Sequence, residues 1–329
     1  MPDVWTHLIC GREVLKPVRE DFREMARREM KLFNFGCQGP DFLFYYNFLP
    51  WAGDKRAVAL GNRIHHESCG LFFRECLKYA RTSPGEKSLV YIMGLMCHWC
   101  LDRAAHPYIN YISGICRGDR PGEEKLVNNH KRVEAVIDSV LAKRFLNIDV
   151  RKVPVHREIS LGDNLPPEVQ ALYSHVLPLV FGADCTSLAG AVVLNKSYRD
   201  MLAALRVLHD PRGVKRLAAS LYDLVSPRVA NMRYYFYGTP VSDPEAYLNE
   251  GNRPWCHPMD PGEVHHESFP DLFRRGVGET VEMINLSLRF VRGEAGEAEI
   301  GEKITDISHS TGKIHSDERE MVHFVPVLP

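Results

Sequence analysis

The sequence lacks both a long apolar run and an excess of charge of either sign. No stretch approaches the roughly 18 consecutive apolar residues that a membrane-spanning helix requires, so no transmembrane segment is expected. The 41 basic and 42 acidic side chains nearly cancel, to a formal net charge of -1. Proteins that hold nucleic acid by bulk charge are strongly basic, so no stable nucleic-acid partner is expected.

We also expect neither a secretory leader nor a disulfide framework. The first residues, MPDVWTHLICGREVLKP, contain no basic segment followed by an apolar one. The nine cysteines are odd in number and scattered, and without a leader we expect them to be reduced and mostly buried. Both observations favour a cytoplasmic protein.

Strand-like alternation is scarce, and helical patterns dominate. The best strand candidate, 151–161, is expected to be an extended connection, whereas apolar and charged residues recur at helical spacing over 12–34. Further helical patterns cover about 55–82, 88–106, 120–145, 166–181, 187–208, 211–236 and 266–293. The sequence predicts one compact, all-α, multi-helix domain over 1–293, followed by a loosely ordered extension over 294–329.

Polar side chains interrupt one of the most apolar helical patterns, HWCLDRAAHPYI at 98–109. His98, Asp102 and His106 are four residues apart and therefore form one stripe along a helix. Burying such groups without partners is costly, and together they offer the nitrogen and oxygen ligands that zinc accepts. The stripe therefore predicts a metal site. Pro107 disfavours the helical conformation of His106, so we expect His106 to diverge and to bind a second ion.

A second helical pattern carries another pair of donors at the same spacing, His130 and Glu134. Three further candidates precede both helices in separate segments of the chain: His7, Asp41 and the adjacent pair His65 and His66. Neighbouring residues of a helix point in different directions, so at most one of His65 and His66 is expected to be a ligand. We favour His65.

The order and spacing of these residues resemble the bacterial zinc-dependent phospholipase C family, which includes the clostridial alpha-toxin. The resemblance covers roughly residues 1–145 and rests on short motifs in the same order: Thr-His, Gly-x-x-Gly-Pro-Asp, a His on the next helix, His-x-x-x-Asp, His-Pro and His-x-x-x-Glu. Each motif is unremarkable alone, whereas the ordered series is fairly specific. The family fold is a compact helical domain with a cleft for three zinc ions.

The resemblance also implies how the ligands are grouped. One zinc would be bound by His98, Asp102, Asp41 and either His65 or His66, a second by His106, His130 and Glu134, and a third by His7 together with a bridging Asp102. Secreted members complete the third site with a free N-terminal tryptophan, whereas Trp5 of this chain is internal. We therefore expect two or three zinc ions.

Such a site implies a zinc-dependent hydrolase of phosphoric esters that is phospholipase C-like. Neighbouring zinc ions lower the pKa of a bound water and neutralise phosphate oxygens, so the substrate would be a phospholipid or a related small phosphodiester. Asp41 would be the catalytic base if it contacts the attacking water, and a role as a metal ligand alone is equally consistent. The aromatic residues in 42–48 would line the cleft or pack in the core.

Two other functions are compatible with the same residues. Fungal single-strand nucleases share the fold and metal arrangement of the phospholipase C family, although the near-neutral charge weakly disfavours a nuclease. The second alternative is a non-catalytic metal-binding helical protein, in which the metal only joins helices. A closed shell of four protein ligands would favour that alternative, and an open coordination position would favour catalysis.

Overall fold

The computed structural model of the chain describes residues 4–49, 52–83, 85–116, 126–225, 231–239, 241 and 243–328. It confirms the predicted all-α class. The strands in these ranges form a single antiparallel pair, β1 (Trp255–His257) and β2 (Asp260–His265), and the remaining regular structure is helical. No helix in the described ranges combines the length and the apolar character needed to cross a bilayer.

The α-helices follow one another through most of the chain. In order they are α1 (Val4–Val14), α2 (Glu20–Arg28), α3 (Met30–Gly36), α4 (Arg56–His66), α5 (Cys69–Thr82), α6 (Glu86–Ser113), α7 (Asn129–Leu141), α8 (His156–Ile159), α9 (Pro167–Phe181), α10 (Ala191–Leu208), α11 (Val214–Val225), α12 (Glu245–Leu248), α13 (Phe269–Val291) and α14 (Glu297–Lys303). Short 3-10 helices cover Gly39–Tyr45, Ala183–Thr186 and Met232–Tyr235, and a π-helical turn covers Ala142–Leu146.

Several helix boundaries differ from the sequence patterns. The pattern over 12–34 is divided among three helices, because α1 ends before Pro17, which cannot donate a helical hydrogen bond. The best strand candidate, 151–161, instead forms turns and the short helix α8. The pattern over 211–236 separates into α11 and a 3-10 helix, and residues 120–125 and 226–230 lie outside the described ranges.

Helix α6 is the centre of the molecule and is buried along most of its 28 residues. It packs against α1, α3, α7 and α13. The crossing with α3 is close because Gly36 and Gly94 face each other: a Cβ added to Gly94 would lie 2.6 Å from the Phe33 carbonyl oxygen. This approach brings the chain that follows α3 directly against the middle of α6.

The C-terminal extension folds back over the same helices. The His309 amide donates to the His65 carbonyl (3.0 Å), and the Trp99 indole N–H donates to the Ile307 carbonyl (2.9 Å). Further along, the amides of Val325 and Val327 donate to carbonyls near the end of α6, each at 2.8 Å. We call residues 304–328 the C-terminal strap. It brings polar side chains to the inward-facing stripe of α6.

Candidate metal centre

The stripe of α6 points into the interior, with Asp102 at its centre. Four imidazole nitrogens approach the Asp102 carboxylate: His98 Nε2 at 3.0 Å, His7 Nε2 at 3.3 Å, His309 Nδ1 at 3.4 Å and His106 Nδ1 at 3.9 Å. Asp102 is 1% exposed. Its ion-pair partners in the described ranges are all histidines, so no lysine or arginine there neutralises it.

Four side chains form what we call the deep cluster: His65, His98, Asp102 and His309. Each offers one ligand atom, and these atoms all lie within 4.8 Å of one another. All four residues are buried. Imidazole nitrogens and a carboxylate oxygen in this number and spacing could hold a metal ion.

Three other side chains form the outer cluster: His106, His130 and Glu134. His130 and Glu134 are one turn apart on α7, with His130 Nε2 at 2.7 Å from Glu134 Oε1, and His106 Nε2 lies 3.6 Å from the same oxygen. The His130 side chain is 33% exposed. The outer cluster therefore offers three donors and has more access to solvent than the deep cluster.

Pro107 does not end α6, which continues to Ser113. His106 remains helical, but its Nε2 faces α7, whereas the nearest imidazole of the deep cluster on the same helix, His98, faces Asp102. The stripe of α6 therefore contributes His98 and Asp102 to the deep cluster and His106 to the outer cluster. Asp102 is within 4 Å of histidines in both.

Asp41 and His7 border the deep cluster. Asp41 Oδ1 lies 2.9 Å from His65 Nε2 and 3.7 Å from His98 Nε2. The His7 ring stacks on that of His98 with centroids 4.3 Å apart. Gly39, with a φ of +61°, positions Asp41, because any side chain at Gly39 would overlap the His98 ring. Both glycines of the Gly-x-x-Gly-Pro-Asp motif thus avoid an overlap: a side chain at Gly36 would overlap α6 at Gly94, and one at Gly39 would overlap the His98 ring.

The imidazoles are oriented by backbone carbonyls. The Nδ1 atoms of His65 and His98 lie 2.7 Å and 3.3 Å from the carbonyl oxygens of Gly61 and Cys37. His106 Nδ1 lies 2.9 Å from the carbonyl of His309. A carbonyl oxygen only accepts, so each Nδ1 carries the hydrogen and leaves the Nε2 lone pair directed toward a cluster. Metal-binding histidines are commonly held in this way.

The charges of the site are balanced among its own residues. Burial opposes the ionisation of Asp102, but the neighbouring histidines, His98 first, hold the pKa of its carboxyl well below the usual value. Burial would lower the pKa of His98, yet Asp102 and Asp41 raise it. For His309, burial prevails and lowers its pKa well below the usual value. His309 is therefore neutral at pH 7.

Several buried polar atoms of the site make no well-oriented hydrogen bond, although ionisable side chains lie close to some of them. They are Nδ1 and Nε2 of His7, Nε2 of His98, Oδ1 of Asp41 and Oδ1 of Asp102. Leaving so many polar atoms unsatisfied in one place costs several kcal/mol, of the order of 1–3 for each. Metal ions would satisfy them, since each atom offers a lone pair or can do so after losing a proton. The residues present therefore fit a metal centre.

The structure brings together all of the side chains proposed from the sequence: His7, Asp41, His65, His98, Asp102, His106, His130 and Glu134. It also separates the adjacent histidines. His65 faces Asp41, whereas the His66 ring is directed toward the Ser308 hydroxyl (3.4 Å), and burial lowers the pKa of His66 to about 4.

Sequence reasoning missed His309. It lies in ISHSTGKIH, a segment with no helical spacing and no second donor placed to form a pair with it. The aromatic run contributes in two ways: Phe42 is fully buried, and the Phe44 ring packs on His65 with centroids 5.0 Å apart. Tyr45, Tyr46 and Phe48 are half-buried.

Trp5 is a structural residue beside the site. Its backbone amide and that of Thr6 donate to the Asp138 carboxylate at 3.0 Å and 2.8 Å. The Tyr237 hydroxyl donates to the same carboxylate (2.7 Å). Asp138 is one turn beyond Glu134 on α7, so this contact fixes α1, which carries His7, against the helix of the outer cluster.

Comparison of the chain with known protein families, with curated proteins and with solved structures finds no match. The chemistry of the two clusters is therefore the basis for assigning a function. Histidine and carboxylate donors form two groups that could each hold a metal ion, and Asp102 of the deep cluster lies within 4 Å of His106 of the outer cluster.

Proposed function

We propose that this protein is a zinc-dependent phosphodiesterase, phospholipase C-like, that hydrolyses a phospholipid or a related small phosphodiester. The observation that carries the proposal is the adjacency of the deep cluster, with four donors, and the outer cluster, with three. A site with three protein ligands retains a coordination position for water or substrate, as catalytic zinc sites do. The similarity in motif order to the phospholipase C family supports the same reaction.

His106, His130 and Glu134 would hold the zinc ion at which water is activated, and His65, His98, Asp102 and His309 would hold another. Zinc bound there would supply a water of near-neutral pKa and positive charge for the phosphate oxygens. Asp102 keeps its negative charge at neutral pH and orients imidazoles of both clusters.

Asp41 is the side chain placed to accept a proton. It is not among the donors of either cluster, and the neighbouring charges of His98 and His65 outweigh its burial and lower the pKa of its carboxyl. Asp41 is thus a carboxylate at neutral pH, 2.9 Å from His65 Nε2. We assign it the role of general base.

Metal analysis and hydrolysis of bis(p-nitrophenyl) phosphate test the proposal together. Mass spectrometry of protein purified without chelator should find two or three zinc ions per chain, and His130→Ala should lose about one. The matched control is His175→Ala, which removes a histidine of α9 that packs on Tyr79 instead of in a cluster. Protein without tightly bound metal, or with metal but equal activity in His130→Ala, would refute the proposal.

One observation favours a second function. The deep cluster has four protein ligands and is fully buried, which is typical of a structural metal that joins elements of the fold. A non-catalytic protein with metal-joined helices would contain the same zinc but would hydrolyse none of a panel of phosphodiesters. Chelation of the metal would then lower the thermal stability of the protein, and no phosphodiester would be hydrolysed before or after chelation.

A further inference from the structure

Helix α11 is turned with its apolar face toward solvent. Leu217, Leu221 and Leu224 lie at positions i, i+4 and i+7 and are 61%, 57% and 74% exposed, and the flanking Val214 and Val225 are 63% and 79% exposed. None of the residues of α11 is buried. Surface helices of globular proteins place such a stripe against the core.

Hydrogen bonds to one side of this apolar stripe attach α11 to the rest of the protein. The Arg216 amide donates to the buried Asp210 carboxylate (2.8 Å). The Asp223 carboxylate accepts from the amides of Met232 and Arg233 at 2.9 Å and 3.1 Å. These hydrogen bonds set the rotation of the helix about its axis, so the outward apolar face is a consequence of specific contacts.

The apolar face continues beyond α11. Val207, at the end of α10, is 57% exposed, and Met232 and Tyr235, on the 3-10 helix that packs against α11, are 41% and 44% exposed. Exposed apolar side chains gathered on adjoining elements are characteristic of an interaction site.

The charges around this face identify the partner. The exposed charged residues within 206–225 are Arg206, Arg212 and Lys215, and all three are cationic. The two acidic residues of the segment, Asp210 and Asp223, are occupied by backbone amides. An apolar helix face bordered by cations matches a bilayer with anionic headgroups. A second copy of the chain would offer no opposite charge within the same surface.

We propose that α11 and the adjoining residues 232–235 dock the protein on an anionic lipid surface, with Leu217, Leu221 and Leu224 entering the interface. The 3-10 helix connects this face to the outer cluster: Arg132 of α7 lies over the Tyr234 ring, 4.5 Å from its centroid, and α7 carries His130 and Glu134. Docking itself is independent of the enzymatic proposal, whereas the corollary that the substrate is a phospholipid of that surface rests on the proposed function.

Vesicle sedimentation with the full chain tests docking. We expect binding to vesicles of equimolar phosphatidylcholine and phosphatidylglycerol, and weaker binding to phosphatidylcholine alone. Leu217→Glu combined with Leu224→Glu should lower the partition coefficient by more than about tenfold, because each change removes an apolar side chain that would enter the lipid interface and adds repulsion from the anionic lipid. Leu179→Glu is the matched control, since Leu179 is a 60% exposed leucine on α9.

Arg206→Gln combined with Arg212→Gln separates the electrostatic contribution. These changes should lower binding to the anionic vesicles and leave binding to phosphatidylcholine unchanged. Docking on lipid is refuted if wild-type protein binds neither vesicle. It is also refuted if Leu217→Glu with Leu224→Glu leaves vesicle binding unchanged and only converts a dimer to a monomer in size-exclusion chromatography. That second result would assign the face to another copy of the chain.

Metal content and turnover of bis(p-nitrophenyl) phosphate distinguish a failure here from a failure of the proposed function. The α11 variants should keep wild-type values of both, since α11 contributes no ligand, and should lose only hydrolysis of phospholipid in vesicles. Protein that binds vesicles but hydrolyses no phosphodiester would retain the docking surface and reject the enzyme.

Discussion

His309 Nδ1 lies 3.4 Å from Asp102 Oδ2, although 207 residues separate the two in the chain. The carbonyl of His309 accepts from His106 Nδ1, and its amide donates to the His65 carbonyl. One residue of the C-terminal strap thus contacts both clusters and the helix on which His65 lies. Its removal should affect metal binding and the position of the strap together.

His309→Ala should lower the zinc content by about one ion per chain. The deep cluster then has three protein donors instead of four, and the loss of a ligand weakens metal affinity at least tenfold, as even the loss of an outer partner of a ligand does. Mass spectrometry of the purified variant measures this loss. His323→Ala, in the same strap but outside both clusters, is the control, and equal zinc in the two variants would exclude His309 as a ligand.

Asp138→Ala should lower the free energy of unfolding by about 3 kcal/mol. The substitution leaves the amides of Trp5 and Thr6 and the Tyr237 hydroxyl without their acceptor in a buried place, at roughly 1 kcal/mol or more for each donor. Urea unfolding followed by circular dichroism gives the difference. Asp163→Ala, at an exposed position, should change stability little, and a similar loss in both variants would contradict the anchoring role of Asp138.

Gly312→Ala tests the contact between the strap and α6. Pro107 has no N–H to donate to the Arg103 carbonyl, and a Cβ at Gly312 would lie 2.5 Å from that oxygen. Gly312 also has a φ of +64°. We expect a loss of about 3 kcal/mol in thermal or urea unfolding, from strain and overlap together.

Gly213→Ala isolates the strain, because Gly213 has a φ of +72° and open space around it. This control should lose only about 1 kcal/mol. Equal losses of stability in the two glycine variants would mean that the strap is not in close steric contact with α6 at Gly312.

Acid should destabilise the metal-free protein through its buried carboxylates. Asp102 and Glu134 have folded-state pKa values well below the unfolded values of 3.8 and 4.5. Their contribution to stability is therefore fully present above those unfolded values and is lost as the pH falls through the depressed folded values. Asp102→Asn should reduce the change in urea midpoint between about pH 6 and about pH 3 in chelator-treated protein. If the urea midpoint of Asp102→Asn changed with pH as much as that of the wild type, Asp102 would not supply this contribution.

Local sequence patterns predicted most of the site because several of its candidate ligands occur in pairs that are four residues apart on one helix. His98 with Asp102, and His130 with Glu134, are one turn apart, so the helix alone places each pair on one face. Asp41 is positioned by two glycines that also stand out in the sequence. His309 has no such local partner: its place depends on hydrogen bonds to His65 and His106, which form only when distant segments pack. The orientation of α11 is similar, because a helical pattern does not say which face a tertiary contact will cover.

The donors of the deep cluster and its border extend from His7 in the first helix to His309 in the strap. A growing polypeptide that has emerged only as far as α13 has the outer cluster and most of the α6 stripe, but not the fourth ligand of the deep cluster. Closure of such a long loop carries a large entropic cost, which metal binding can offset only once both segments are available. The deep cluster could therefore hold a metal ion with all four of its donors only after synthesis has passed residue 309, and metal binding there would be a late step in stabilising the fold.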